Sequence, residues 1–220
     1  GTNRVVLAGG MESMSNAPHL LPGARSGFRL GSTIAYDHMM MDGLEDAYEG
    51  RPMGSFAQAT ADREGLTREA MDAYAIESLR RARLAIDEGA LADEMAPVTV
   101  TTRRGDTVVA DDEQPPKADL ERIPTLKPAF AKDGTITAAN ASSISDGGSA
   151  LLLMNESAAR EHELPGMARI VAHARHSQAP GEFTTAPIGA LQKLFDKTGW
   201  SAEDIDLFEI NEAFAMVTML

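Results

Sequence analysis

The residues best suited to chemistry lie near the end of the chain, in segment 209–215. An apolar stretch that reads as a buried strand ends there, and a helical pattern begins. Polar groups at the carboxyl end of a strand in an α/β sheet commonly face a ligand. The neutral amide of Asn211 is suited to hold a water against a developing negative charge, but it is equally suited to cap a helix. The pattern leaves both interpretations open.

Two further segments combine small and polar side chains. Ala139–Gly148 offers hydroxyl groups and exposed backbone amides, so a ligand could approach its backbone closely, although many such loops only connect elements. Ala8–Ser15 follows a buried strand and reads as a glycine turn with polar caps. For this second segment we expect a structural role.

Composition excludes several function classes. The 220 residues include no cysteine, which rules out a disulfide, a thiolate metal site and a cysteine nucleophile within them. The formal net charge of -13 argues against a nucleic acid or an anionic membrane as partner. The five histidines show no metal-ligand spacing, so we expect no metal site. No apolar run reaches the roughly 18 residues of a membrane span, and we expect a cytoplasmic protein.

The elements that would position these segments follow from periodicity. A strand is predicted over residues 4–8, then a loop-rich region with a short helix around Ser32–Asp42, and a helix over Gly54–Glu64. Thr67 is the expected N-cap of a long amphipathic helix that ends before Gly89. Both ends of the chain read as cut, and we therefore expect an interior segment of a longer protein.

The second half of the chain has an α/β pattern. Val98–Thr102 and Thr107–Ala110 are predicted to form a hairpin, and Asp111–Lys127 is expected to be mostly loop. Strands and helices then alternate, which indicates an α/β fold. The predicted elements are a strand over Ser149–Met154, a helix from Glu156, a strand over Ala168–Ala174, a helix with Pro187 in its first turn and Gly199 after its end, and a strand over Asp206–Ile210.

Taken together in this order, the segments resemble the thiolase family of acetyl-CoA acetyltransferases and 3-ketoacyl-CoA thiolases. The matching segments are residues 8–15 with 17–19, residues 126–130, residues 137–142 and residues 211–214. Four matches in sequence order, spread over nearly the whole chain, are far more specific than one glycine motif.

The resemblance implies a five-layer α/β/α/β/α fold of two similar halves with an inserted loop domain that covers coenzyme A. Residues 1–15 would end the N-terminal half, residues 16–144 would form the loop domain, and residues 145–220 would open the C-terminal half. The resemblance also implies homodimers or homotetramers, coenzyme A and acyl-CoA as substrates with no permanently bound cofactor, and a role in fatty acid metabolism.

The resemblance assigns roles to individual residues. Ser142 matches the serine that hydrogen-bonds the pantetheine arm, and Asn211 matches the asparagine that positions an oxyanion-hole water. Glu212 is expected to orient its neighbours rather than act as a base. The implied apolar contacts to coenzyme A or substrate are Leu44, Met53, Phe130, Ala138, Phe183 and Phe214.

Departures from the family pattern limit what this chain can do alone. The family's nucleophilic cysteine lies upstream of the segment that matches residues 8–15, and its catalytic histidine and second cysteine lie downstream of Phe214. Pro52 precedes Met53 where many short-chain members have histidine, and Phe183 replaces a methionine, so we expect a different acyl pocket. The alternatives are a non-catalytic acyl-CoA-binding protein and a ketoacyl synthase, although segment 211–214 lacks the histidine motif of the synthases.

Overall fold

The computed structural model describes residues 3–220. Contacts within the chain define two compact units. The first comprises the chain up to Phe56, Ser143–Ile210 and Leu220, and the second comprises Ala57–Ser142 and Asn211–Met219.

Six strands and six α-helices are formed in residues 3–220. The strands are β1 (Val5–Ser13), β2 (His19–Leu20), β3 (Tyr36–Asp37), β4 (Val98–Thr102), β5 (Gly105–Val109) and β6 (Asp146–Met154). The α-helices are α1 (Met53–Arg63), α2 (Arg68–Asp87), α3 (Gln114–Lys117), α4 (Glu156–Glu161), α5 (Ala186–Thr198) and α6 (Ala215–Met219). Short 3-10 helices cover Met14–Asn16, Ala24–Ser26, Leu120–Thr125, Pro180–Thr185 and Ala202–Asp204, and a π-helix covers Met39–Leu44.

The main ladder of the first unit is the antiparallel pair β1 and β6. Nine residue pairs run from Val5 opposite Met154 to Ser13 opposite Asp146. Beyond the ladder, the backbone N–H of Ser15 donates to the Asp146 carboxylate at 2.9 Å. The glycine turn expected after the first strand is wrong, because the chain remains extended through both of its glycines and pairs along its full length.

The rest of the first unit confirms some predicted elements and corrects others. α5 has Pro187 near its start and ends at Gly199, which adopts a left-handed conformation with φ of 72°. The short helix expected around residues 32–42 instead lies at Met39–Leu44. Residues 168–174 and 206–210 form no strand, contrary to prediction, because neither segment has a hydrogen-bonded ladder partner within residues 3–220.

The second unit is built around α1 and α2. Thr67 caps α2 as predicted, and its hydroxyl accepts the backbone N–H of Ala70 at 3.2 Å. β4 and β5 form the expected hairpin, with a tight turn between Thr102 and Gly105. The region after the hairpin is more helical than predicted, since it contains α3 and a 3-10 helix. The largest fully buried side chains of this unit are Met71, Ile136, Met216, Thr60 and Thr137.

Residues 3–220 contain neither a membrane-spanning helix nor a cluster of metal ligands. No helix within residues 3–220 combines the length and apolar character needed to cross a membrane. The same part of the chain contains no group of three or more His, Cys, Asp or Glu side chains arranged to hold a metal ion.

The ladder of β1 and β6 generates a stability prediction with a matched control. A Cβ placed on Gly9 would lie 2.2 Å from the carbonyl oxygen of Ser149, whereas a Cβ on Gly10 would meet no atom within 4 Å. Gly9→Ala must therefore push the two strands apart, and we expect it to lower the free energy of unfolding by about 1–3 kcal/mol, as overpacking does. Gly10→Ala is expected to stay within about 0.5 kcal/mol of the parent protein. Equal stability of the two variants in urea denaturation would contradict the strand register.

Candidate functional site

The centre of the candidate site is the buried side chain of Asn140, which is 2% exposed. Its amide oxygen accepts the backbone N–H of Thr137 at 2.8 Å, and its amide nitrogen donates to the carbonyl of Thr135 at 3.0 Å. The backbone carbonyl of Asn140 accepts the N–H of Ala215 at 2.8 Å. One residue thus holds its own loop in a defined turn and ties that loop to the start of α6.

A carboxylate on α2 completes the hydrogen bonds of this amide. Asp72, 4% exposed, accepts the second amide hydrogen of Asn140 at 3.0 Å through one oxygen. Its other oxygen accepts from the Arg68 guanidinium at 2.6 Å. Arg68 also donates to the carbonyls of Ile123 and Leu126, at 3.1 and 2.9 Å. A buried carboxylate requires such pairing, and here the ion pair fixes one turn of α2 against two loops.

Gln58 on α1 provides a second anchor for the same loop. Its amide oxygen accepts the backbone N–H groups of Thr135 and Ile136, at 2.9 and 3.1 Å. Its amide nitrogen donates to the Thr135 hydroxyl at 2.9 Å and to Asp62 at 2.8 Å. Since the loop makes few backbone ladder bonds of its own, buried side chains supply the partners that its amides require.

These anchors bring two of the sequence motifs together. Ala141 forms an antiparallel bridge with Phe214, and the N–H of Ser142 donates to the carbonyl of Ala213 at 2.9 Å. Ser142 is exposed, so its hydroxyl is available to a ligand. Segments that are about 70 residues apart in sequence therefore form one continuous edge within the second unit.

Aromatic packing supplies the apolar part of this edge. The rings of Phe130 and Phe214 meet edge to face, with centroids 6.3 Å apart and planes at 79°. Phe214 is buried, whereas Phe130 remains 37% exposed. Ala138 is also exposed on the turn that precedes Asn140. Exposed small and aromatic groups on the segments that carry Ser142 and Phe214 suit a ligand with both apolar and polar groups.

Glu212 is held by α2, while Asn211 remains exposed. The two carboxylate oxygens of Glu212 accept from the Tyr74 hydroxyl at 2.9 Å and from the Ser78 hydroxyl at 2.6 Å. This arrangement fixes the Glu212 side chain, while its orienting role stays a prediction. α6 begins only at Ala215, so Asn211 is not its N-cap. The exposed amide of Asn211 therefore stands beside a residue whose side chain is fixed at both oxygens.

The remaining sequence-assigned residues lie in the first unit. Leu44 and Met53 flank the antiparallel bridge between Glu45 and Pro52, which places their backbones side by side. Both side chains are half-buried. Phe183 is half-buried in the 3-10 helix that leads into α5. The roles assigned to all of these residues stay predictions, as does the three-part division of the chain.

Several supporting residues have no counterpart in the sequence-based assignment. They are Gln58, Arg68, Asp72, Tyr74 and Ser78. A partial signal exists in α2, where Arg68 precedes Asp72 and Tyr74 precedes Ser78, each at the four-residue spacing of one helix face. The distant partners of these side chains leave no such signal.

Comparisons with known proteins agree with this arrangement. The family profile described as "Thiolase, N-terminal domain" matches residues 1–157, and that described as "Thiolase, C-terminal domain" matches residues 164–220. An acetyl-CoA acetyltransferase from Pseudomonas aeruginosa is 44% identical over 98% of this chain and 55% of its own length. The chain thus spans about half the length of the curated relatives it matches.

Solved structures show the same relationship. A thiolase from Ascaris suum, in complex with coenzyme A, superposes with a TM-score of 0.91 at 42% identity, covering 100% of this chain and 56% of its own. Human mitochondrial 3-ketoacyl-CoA thiolase gives a TM-score of 0.89 at 38% identity over 98% of this chain and 55% of its own. These likenesses confirm the α/β fold class expected from the sequence.

The contact between Tyr74 and Glu212 predicts a measurable titration. Burial raises the pKa of the Tyr74 hydroxyl above its ordinary value, and the hydrogen bond to the Glu212 carboxylate adds to this, while a hydrogen bond with Thr218 opposes it. Stability linked to Tyr74 is therefore present below about pH 10, the unfolded value, and is lost as pH rises through the higher folded value.

The ionisation of Tyr74 can be followed by tyrosinate absorbance as the pH is raised, with the titration of Tyr74→Phe subtracted from that of the parent protein. We expect the midpoint of this difference titration above about pH 10. Glu212→Gln removes the negative acceptor and should move the midpoint part of the way down. A midpoint at or below the ordinary value in the folded protein would contradict the contact.

Proposed function

Because this chain belongs to the thiolase family, we propose that it forms the coenzyme A binding part of an acyl-CoA C-acyltransferase. The reaction is thiolytic cleavage of a 3-ketoacyl-CoA or, in reverse, condensation of two acyl-CoA molecules. The observation that carries this proposal is the pairing of Ala141 and Ser142 with Ala213 and Phe214, because it assembles a hydroxyl, two aromatic rings and an exposed amide at one edge.

The proposed reaction proceeds through a cysteine acyl-enzyme in two steps. A thiolate attacks the 3-keto carbon, the bond between carbons 2 and 3 breaks, and the departing acetyl-CoA carbanion takes a proton from a general acid. The thiol of a second coenzyme A then gives its proton to the group that acted as general acid, now a base, and its sulfur attacks the acyl-cysteine thioester, receives the acyl group and releases the cysteine thiolate. These 220 residues contain no cysteine, so in this proposal both catalytic cysteines lie outside them, and the family resemblance places the catalytic histidine outside them as well.

The proposed binding role of the chain is to hold the pantetheine arm. The hydroxyl of Ser142 hydrogen-bonds an amide of the arm, while Phe130, Ala138 and Phe214 cover its apolar groups. Leu44, Met53 and Phe183 provide further apolar contacts to coenzyme A or substrate. Coenzyme A and acyl-CoA enter as substrates, and no cofactor is held permanently. The exposure of Ser142, Ala138 and Phe130 supports this role.

The proposed chemical contribution of the chain comes from Asn211. Both steps develop negative charge on a carbonyl oxygen, and a hydrogen-bond donor held at that position lowers the barrier. The amide of Asn211 would orient a water toward the oxyanion without adding a net charge. The fixed geometry of its neighbour Glu212, bound at both oxygens by α2, supports this role because preorganised donors stabilise a transition state best.

Two alternative functions remain testable against this proposal. A degenerate chain that binds acyl-CoA without reaction would lack the catalytic cysteines and histidine in its complete sequence. A ketoacyl synthase would use a cysteine with two histidines, and the absence of histidine in segment 211–214 disfavours it. A cytoplasmic location, a role in fatty acid metabolism and assembly as a homodimer or homotetramer are proposals that rest on the sequence and on family resemblance.

Substitutions in the complete enzyme test the two proposed roles separately. Ser142→Ala removes one hydrogen bond to coenzyme A, and we expect KM for coenzyme A in thiolysis to rise about tenfold with kcat nearly unchanged. The neighbouring Ser143→Ala serves as the matched control and should leave KM unchanged. Asn211→Ala removes an oxyanion-hole group, and we expect kcat to fall about 10²- to 10³-fold.

Consumption of a 3-ketoacyl-CoA by the purified enzyme is the measurement for all three variants. A parent enzyme that binds coenzyme A but does not turn over would establish the non-catalytic alternative. If Ser142→Ala and Ser143→Ala changed KM equally, the proposed hydrogen bond from Ser142 to coenzyme A would be wrong.

A further inference from the structure

We infer that Asp72 and Asn140 form a positioning pair that sets the affinity of this site for coenzyme A, an inference that rests on the proposed function. Neither side chain is exposed enough to touch a ligand, at 4% and 2%. Their effect is exerted through the backbone of the loop that ends at Ser142.

The buried carboxylate determines which way the Asn140 amide faces. A carboxylate oxygen accepts hydrogen bonds only, so the NH2 end of Asn140 must face Asp72. The oxygen end is then directed to the N–H of Thr137, and the second NH2 hydrogen to the carbonyl of Thr135. In the reverse orientation, the Asn140 amide oxygen would face two other acceptors, the Asp72 carboxylate and the Thr135 carbonyl. Its NH2 group would face another donor, the N–H of Thr137. Asp72 therefore stabilises the same amide orientation that the turn at residues 135–140 requires.

This turn fixes the position of the ligand-facing serine. The carbonyl of Asn140 accepts from Ala215, Ala141 bridges Phe214, and the N–H of Ser142 donates to Ala213. These contacts form one short ladder, so a shift of Asn140 moves Ser142 relative to Phe214. The hydroxyl and the apolar wall of the proposed pantetheine site would then no longer face the same ligand.

The ion pair with Arg68 makes Asp72 a fixed point rather than a mobile acceptor. Arg68 is bonded to Asp72 and to carbonyls of the 3-10 helix Leu120–Thr125 and the residue after it. The carboxylate is consequently held at both oxygens, by Arg68 and by Asn140. Asp72 and Asn140 are 68 residues apart, and this contact links α2 to the loop.

The test is an isosteric substitution in the complete enzyme. Asn140→Asp keeps the shape but places a second carboxylate against Asp72 and removes both donated hydrogen bonds. We expect KM for coenzyme A to rise at least about tenfold while kcat changes less than about threefold. Asn155→Asp is the matched control, because it makes the same chemical change at the N-cap of α4, where aspartate caps equally well. Its KM should stay at the parent value.

A double-mutant cycle separates positioning from general loss of structure. If Asn140 acts through Ser142, the variant Asn140→Asp/Ser142→Ala should have a KM within about threefold of the larger single effect. The inference would be overturned if the KM increase of the double variant equalled the product of the two single increases. It would also be overturned if Asn140→Asp kept the KM of the parent enzyme. Asp72→Asn, which keeps an acceptor for Asn140 but loses the charge, gives a smaller KM increase and provides the readout if Asn140→Asp fails to fold. An inactive parent enzyme would instead overturn the proposed function.

Discussion

The site depends on one buried interaction, the contact between the Asp72 carboxylate and the Asn140 amide. Burying a charge and an amide is unfavourable unless every polar atom is paired, and here the pairing is complete for both side chains. The guanidinium of Arg68 donates a hydrogen bond to the Asp72 carboxylate. Two backbone groups of the loop, the N–H of Thr137 and the carbonyl of Thr135, complete the hydrogen bonds of the Asn140 amide. The loop, which has little regular secondary structure, thus depends for its conformation on this contact with α2 and on Gln58 of α1.

The chemistry of the proposed acyl transfer gives such rigidity a use. A thioester substrate must present its carbonyl to a nucleophile and to an oxyanion donor at the same time, and small displacements reduce the rate strongly. The proposed donor at Asn211 and the proposed binding group at Ser142 lie on the two chain segments that the bridge between Ala141 and Phe214 joins. Joining these segments by one short ladder would couple binding of the arm to placement of the reacting group.

The sequence predicted local features of the fold well and long-range contacts poorly. α2 and its cap at Thr67 follow from helical periodicity and side-chain chemistry that are confined to a few residues. The strands expected over 168–174 and 206–210 are absent because strand formation requires a hydrogen-bonding partner that local sequence does not specify. The contact of Asp72 could not be predicted either, because its partner Asn140 is 68 residues away in sequence and the two meet only in the folded chain. Motif resemblance singled out exposed residues such as Ser142 and Asn211, whose roles stay predictions, but not the buried residues that hold the loop.

The most direct test of this account is a crystal structure of the complete enzyme with coenzyme A bound. The account predicts the pantetheine arm against the Ser142 hydroxyl and the rings of Phe130 and Phe214, with the Asn140 amide directed at Asp72. A pantetheine arm bound elsewhere, or bound here with Asn140 turned away from Asp72, would contradict it.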